Sequence, residues 1–84
     1  MKYYYITFRS VTHGQRGEQL LREAGIRSML QRTPRWMETR GCGYSLRIWT
    51  DDIGTATSLL RQHQVPMQKI YIQNSDGNLE ELRL

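Results

Sequence analysis

The 84-residue chain contains a single cysteine, two histidines, two prolines and one phenylalanine. One cysteine cannot form an internal disulfide, and such usage fits a reducing compartment, so the cytoplasm is the expected location. With only His13 and His63 beside it, Cys42 cannot build a cysteine-based zinc cage, and no metal site is expected. No apolar run approaches the roughly 20 residues of a membrane span. Met1-Lys2 leads directly into Tyr3-Tyr4-Tyr5-Ile6, which reads as a strand and not as a signal peptide. A glycine-rich phosphate loop, a nucleophile elbow and paired carboxylates at meaningful positions are all missing. The residues thus point away from an enzyme and suggest no cofactor. Asp51-Asp52 reads as helix capping and Glu80-Glu81 as a solvated tail.

Acids are scarce in the middle of the chain. The net charge is +4, but its distribution matters more than its sum. Between Ala24 and Thr50 lie Arg27, Arg32, Arg35, Arg40 and Arg47, against one acid, Glu38. Such a field favours an anionic partner or a thiolate, although arginines of this kind are also ordinary solvated surface.

The length implies one domain over residues 1–84, and repeats, linkers and low-complexity tracts are absent. "KYYYITF" (residues 2–8) is rich in aromatic and β-branched residues and predicts a first strand. "VTHGQRGEQLLREAG" predicts a helix, with a Thr12–Gln15 capping box, an apolar stripe at Leu20, Leu21 and Ala24, and Gly25 at the end. Gly14 and Gly17 weaken that helix on propensity. Residues 26–32 predict strand two and residues 44–49 strand three, with clear alternation. Thr50, Asp51 and Asp52 cap a second helix carrying Ile53, Ala56, Leu59, Leu60 and His63, which Pro66 stops. Residues 67–73 predict strand four, "NSDGN" a turn, and residues 79–84 a short strand, a helical turn or a frayed tail. The order β-α-β-β-α-β matches an α+β, ferredoxin-like sandwich. The expectation is a four-stranded antiparallel sheet in spatial order four-one-three-two, with two helices on one face.

In that topology the end of strand one lies beside the start of strand three, and helix one begins there. Cys42 is then expected near Ser10, Thr12 and His13, with the end of helix two bringing His63 to the same side. Cys42 shares parity with Tyr44, Leu46 and Ile48, so it should lean toward the helices, not toward the open face. Gly41 and Gly43 on either side allow close backbone approach by a partner. A helix start and nearby Arg or His⁺ lower a thiol pKa from about 8.5. Two readings stay open from the residues alone: a reactive thiol, or a small buried and inert one.

"KYYYITFRSVTHGQRGEQLLREAGI", followed by "TPR" and then "CG", resembles a family of small bacterial selenium/sulfur-carrier-like proteins. The resemblance covers roughly residues 2–65. It implies that Cys42 is a carrier thiol with Gly43 beside it, that Pro34 and Arg35 shape the loop, and that Ser10 and His13 form the turn into helix one. The chain departs from the family pattern in "RWMETRG", where Trp36, Met37 and Arg40 are bulky.

On the carrier reading, Trp36 and Met37 ringed by Arg35 and Arg40 would form a docking rim for sulfur or selenium donor and acceptor proteins. Trp36 folded back over the core edge is the plainer alternative. A second reading is a non-enzymatic interaction or RNA-binding module, because "RGCGYSLR" superficially tracks an RRM strand motif. Its phase is reversed: Cys42 stands where an outward aromatic is expected, and Ser45 and Arg47 where inward apolar residues are. Nucleic acid is therefore a disfavoured partner. Third, Tyr3, Tyr5, Thr7, Ser45, Arg47, Trp49 and Tyr71 are expected on an open sheet face, which suggests a homodimer formed sheet to sheet.

Overall fold

A computed structural model describes residues 3–33, 43–49 and 53–82. The elements follow in the order β1 (Tyr3–Phe8), α1 (Val11–Glu23), β2 (Ser28–Arg32), β3 (Tyr44–Ile48), α2 (Ile53–Gln62), β4 (Ile70–Gln73) and β5 (Leu79–Leu82). The strands form one antiparallel sheet in spatial order β2-β3-β1-β4-β5. The order four-one-three-two is contained in it, but the sheet has five strands where four were expected. The extra strand is Leu79-Glu80-Glu81-Leu82, paired to β4 across a turn in which Asn74 N–H donates to Asn78 O at 2.8 Å. Its two charged residues hide the strand from a periodicity argument. Leu82 nevertheless packs on the core.

The core is one cluster. Even-numbered strand positions Tyr4, Ile6, Phe8, Leu46, Ile48 and Ile70 meet Leu21 of α1 and Ile53, Ala56 and Leu60 of α2. Alternation in the strands and helical spacing in α1 and α2 thus put their apolar faces on the same side of the sheet. Gly14 and Gly17, a cost on helix propensity, face this sheet. A Cβ on Gly14 would stand 2.7 Å from Leu30 Cδ1, and one on Gly17 3.2 Å from Leu46 Cδ1 and 3.3 Å from Phe8 Cζ. The missing side chains let the helix sit close to the strands.

Helix α1 starts earlier than the sequence suggests. Its cap is Ser10, whose Oγ accepts from His13 N–H at 3.3 Å, and not Thr12. Both helices end in the same device. After α1, Ile26 N–H donates to Leu21 O and Gly25 N–H to Arg22 O, with Gly25 at φ +79°. After α2, Val65 N–H donates to Leu60 O and Gln64 N–H to Arg61 O, with Gln64 at φ +59°. These are Schellman ends, in which the residue after the cap turns left-handed. Ile26 and Val65 are drawn into the core by them, so β2 begins at Ser28 and not at Ile26.

Strand β4 is also shorter than the expected 67–73, for a local reason. Thr7 N–H donates to Lys69 O, Gln68 N–H donates to Thr7 O, and Lys69 N–H donates to Thr7 Oγ1 at 2.9 Å. Two residues, Gln68 and Lys69, oppose one, which is a β-bulge. Regular pairing starts only at Ile70.

The face away from the helices is less open than expected. Tyr5, Thr7 and Ser45 are buried, and Tyr3, Arg47, Trp49 and Tyr71 are half-buried. The Arg47 guanidinium lies 4.2 Å from the Tyr3 ring centroid and 5.2 Å from that of Trp49, while Tyr3 and Trp49 meet edge to face. Tyr5 OH donates to Gln73 Oε1 at 2.9 Å. Much of the aromatic surface that suggested sheet-to-sheet pairing is therefore engaged within the chain.

Candidate functional site at the start of helix α1

The end of β1, the start of β3 and the first turn of α1 meet at one corner of the sheet. Gly43 N–H donates to Phe8 O at 3.3 Å, and Thr33 N–H donates to Gly43 O at 3.1 Å. A Cβ on Gly43 would approach Arg9 O to 3.7 Å. Ser10 follows immediately and caps α1, and His13 lies in its first turn, half-buried. Of the residues singled out from the sequence, Ser10, His13 and Gly43 therefore sit at this corner. Pro34, Arg35, Trp36, Arg40, Gly41 and Cys42 lie outside the described residues, as does Met37.

A cleft of about 350 Å³ opens here, lined by Arg9, His13, Pro66, Met67 and Gln68. The bulge opposite Thr7 carries Gln68 into its wall. Bulges commonly re-aim side chains beside sites. The positive end of the α1 dipole points the same way, and the first turn carries no acidic residue to offset it. Arg9 adds a full charge. The corner thus favours a negative group, whether an oxyanion or a thiolate.

Arg9, Met67 and Gln68 were not read as site residues from the sequence. They belong to two segments joined only by the bulged pairing, and nothing local marks them. His63 lies in the turn that ends α2, exposed, with its N–H donating to Leu59 O at 3.2 Å. Among the described residues, no group of three or more His, Asp or Glu side chains gathers to hold a metal ion. No described helix is long and apolar enough to cross a membrane.

The alternation in β3 places Ser45 and Arg47 on the face away from the helices and Leu46 and Ile48 toward them. The rings on that face are held by Arg47 and by each other, so the stacked, accessible pair of aromatics that an RRM presents is missing among the described residues.

Residues 3–72 match the model of a family described as "Putative Se/S carrier protein-like". No curated protein matches the chain significantly. No solved structure does so either.

Proposed function

Because the chain belongs to this Se/S carrier-like family, we propose that it carries sulfur or selenium on Cys42, taking the atom from one protein and passing it to another. The observation that supports this is positional. Cys42, which carries the chain's single thiol, immediately precedes Gly43 in the sequence, and the Gly43 amide is held by Phe8 O beside the capped, acid-free start of α1 and the cation of Arg9. A thiolate there would be stabilised by the helix dipole and by Arg9, and a lowered pKa increases the reactive fraction at neutral pH. A reducing compartment such as the cytoplasm keeps such a thiol free.

The sulfur step is a thiol exchange. The Cys42 thiolate attacks the outer sulfur of a donor cysteine persulfide. A bond forms from Cys42 Sγ to that sulfur, the donor's S–S bond breaks, and the donor leaves as a thiolate. In delivery an acceptor thiolate attacks the carried sulfur, and Cys42 leaves as the thiolate. Each transfer conserves electrons, so no outside oxidant or reductant is required. Gly41 and Gly43 would leave room for the partner's backbone, with Trp36, Met37, Arg35 and Arg40 as the docking rim and Pro34 shaping the loop.

The test is the reactivity of Cys42 with pH, joined to intact-mass analysis. Alkylation should be half-maximal well below pH ~8, against about 8.5 for a free thiol. Incubation with a cysteine desulfurase and cysteine should add roughly 32 Da, the mass of a persulfide sulfur. The adduct should be released by reductant and absent in Cys42→Ser. Alkylation only above pH ~9 would count against an activated thiol. Failure to accept the outer sulfur or selenium atom of a donor cysteine persulfide (Cys–S–SH) or of its selenium analogue (Cys–S–SeH) would sink the carrier reading.

A further inference from the structure

We propose that the outer edge of β2 is a docking edge for an extended, acidic segment of a partner protein, and that Glu18 fills its central hydrogen-bonding position while the partner is away. Assigning the partner as the sulfur or selenium donor or acceptor rests on the carrier reading; the edge itself does not.

The phase of the ladder identifies the groups involved. Thr33 N–H donates to Gly43 O, so odd-numbered residues of β2 turn their backbone groups toward β3. In an antiparallel pair the alternate residues then turn theirs outward. Those residues are Ser28, Leu30 and Arg32. The middle outward donor, Leu30 N–H, is taken by Glu18 Oε2 of α1 at 3.3 Å. A carboxylate oxygen stands where the carbonyl of an added strand would lie. The other oxygen of Glu18 accepts from Arg22 at 3.1 Å, which keeps the side chain over the edge. Natural edge strands are commonly blocked against stray pairing. Here the block is one side chain with two rotatable torsions beyond Cβ, and a partner strand can displace it.

The surroundings specify the partner. Arg27 and Arg32 flank the strand, exposed and without an acidic partner among the described residues. Between them Met29 is 46% exposed, an unusual position for a large apolar side chain on a chain this small. Met29 pairs with Arg47 on the face away from the helices, whereas Arg32 pairs with Tyr44 on the opposite face. A complementary extended segment therefore sets an apolar residue opposite Met29, one acid on the other face opposite Arg32 and a second acid near Arg27, in the manner of β-strand addition. The opposite edge of the sheet has the reverse character, because β5 carries the exposed Glu80 and Glu81. A second copy offering β5 is thus the competing occupant. That arrangement is head to tail and does not close, so it would give open-ended chains. Residue 33 ends the described part of this arm, and Cys42 follows nine residues later. Thr33 N–H donates to Gly43 O, so a strand docked on β2 lies one strand away from Gly43, the residue that follows Cys42 in the sequence.

The probe is the eight-residue peptide Thr-Glu-Thr-Thr-Val-Thr-Glu-Thr, whose spacing sets Glu, Val and Glu opposite Arg32, Met29 and Arg27, titrated into the labelled protein and followed by amide NMR shifts. The same peptide with Lys in place of both Glu is the control. The expected result is shifts at Ser28, Leu30 and Arg32, weakening with salt, and little response to the Lys peptide. Glu18→Ala should bind several-fold tighter, because the internal competitor is gone. Arg22→Ala, which breaks the ion pair but leaves an acceptor on Leu30, should bind much closer to wild type. Arg27→Glu with Arg32→Glu should abolish binding, and Cys42→Ser should bind like wild type. Equal binding of both peptides, shifts confined to other strands, or no gain in Glu18→Ala would overturn the proposal. Concentration-dependent association of Glu18→Ala alone, with shifts at Leu79–Leu82, would assign the edge to a second copy and overturn the partner. Peptide binding does not involve the thiol, so its failure and a failure to load sulfur can be told apart.

Discussion

Replacing Gln64 with glycine should stabilise this protein. Gln64 follows the cap of α2 at φ +59°, a left-handed conformation that costs a residue with a side chain roughly 1–2 kcal/mol. Its side chain is exposed, so removing it loses little packing. Glycine adopts this conformation without the steric cost but loses more chain entropy on folding, about 0.5–1 kcal/mol. The net expectation is a gain of about 0.5–1 kcal/mol. For a domain of this size 1 kcal/mol moves Tm by roughly 4–8 °C. The end of α1 supplies the reverse experiment. It has the same hydrogen bonds, but Gly25 at φ +79° holds the left-handed position, and a Cβ added there would meet nothing within 4 Å. Gly25→Ala therefore isolates the backbone term and should lower stability by about 1 kcal/mol. Thermal and urea unfolding of both variants provide the readout. A Gln64→Gly variant no more stable than wild type, or a Gly25→Ala variant unchanged, would show that the left-handed turns do not carry the strain assigned to them.

Other perturbations test packing and hydrogen bonding. Gly17→Ala should gain about 1 kcal/mol in helix propensity. It also forces a methyl against the fully buried Phe8 and Leu46, which costs about 1–3 kcal/mol, so a lower denaturation midpoint is expected. Thr7→Val keeps the shape of a fully buried residue but removes the acceptor for Lys69 N–H, at a cost of about 1–3 kcal/mol by urea titration. Faster hydrogen exchange at Lys69 should accompany it. Ser10→Ala should lose about 1 kcal/mol through the α1 cap, and Ser10→Asp should restore it while adding a favourable charge at the helix start.

Aromatic and β-branched composition made β1 legible, alternation β3, and caps with apolar spacing both helices. The alternation of Leu46 and Ile48 and the spacing of Ile53, Ala56 and Leu60 point at the core that the structure shows, while Tyr44, of the same parity, is half-buried outside it. Boundaries failed where tertiary contacts outweighed local preference. Ile26 looks like strand but closes a helix end, and Met67–Lys69 look like strand but yield to Thr7. Gly14 and Gly17 look like helix breakers because propensity cannot register that side chains of the sheet stand 2.7 and 3.2 Å from where their Cβ atoms would lie. The short, acidic β5 follows no alternating pattern, since pairing with β4 and one inward leucine hold it. At the candidate site, Ser10 and His13 could be placed from the strand-to-helix turn, whereas Arg9, Met67 and Gln68 come together only through the bulge.

That bulge also bears on how the family's chains can differ in length. Because the side-chain period in a strand is two, an insertion or deletion inside regular pairing flips every following residue to the wrong face. Opposite Thr7 the chain already holds one residue in excess, and the regular ladder begins only after it. Loss of Gln68 would shorten the connection from α2 while leaving Ile70 and Ile72 facing the core. Among the described residues this is thus a position where a chain one residue shorter can keep the same core, and such a chain would carry a reshaped cleft beside Arg9 and His13.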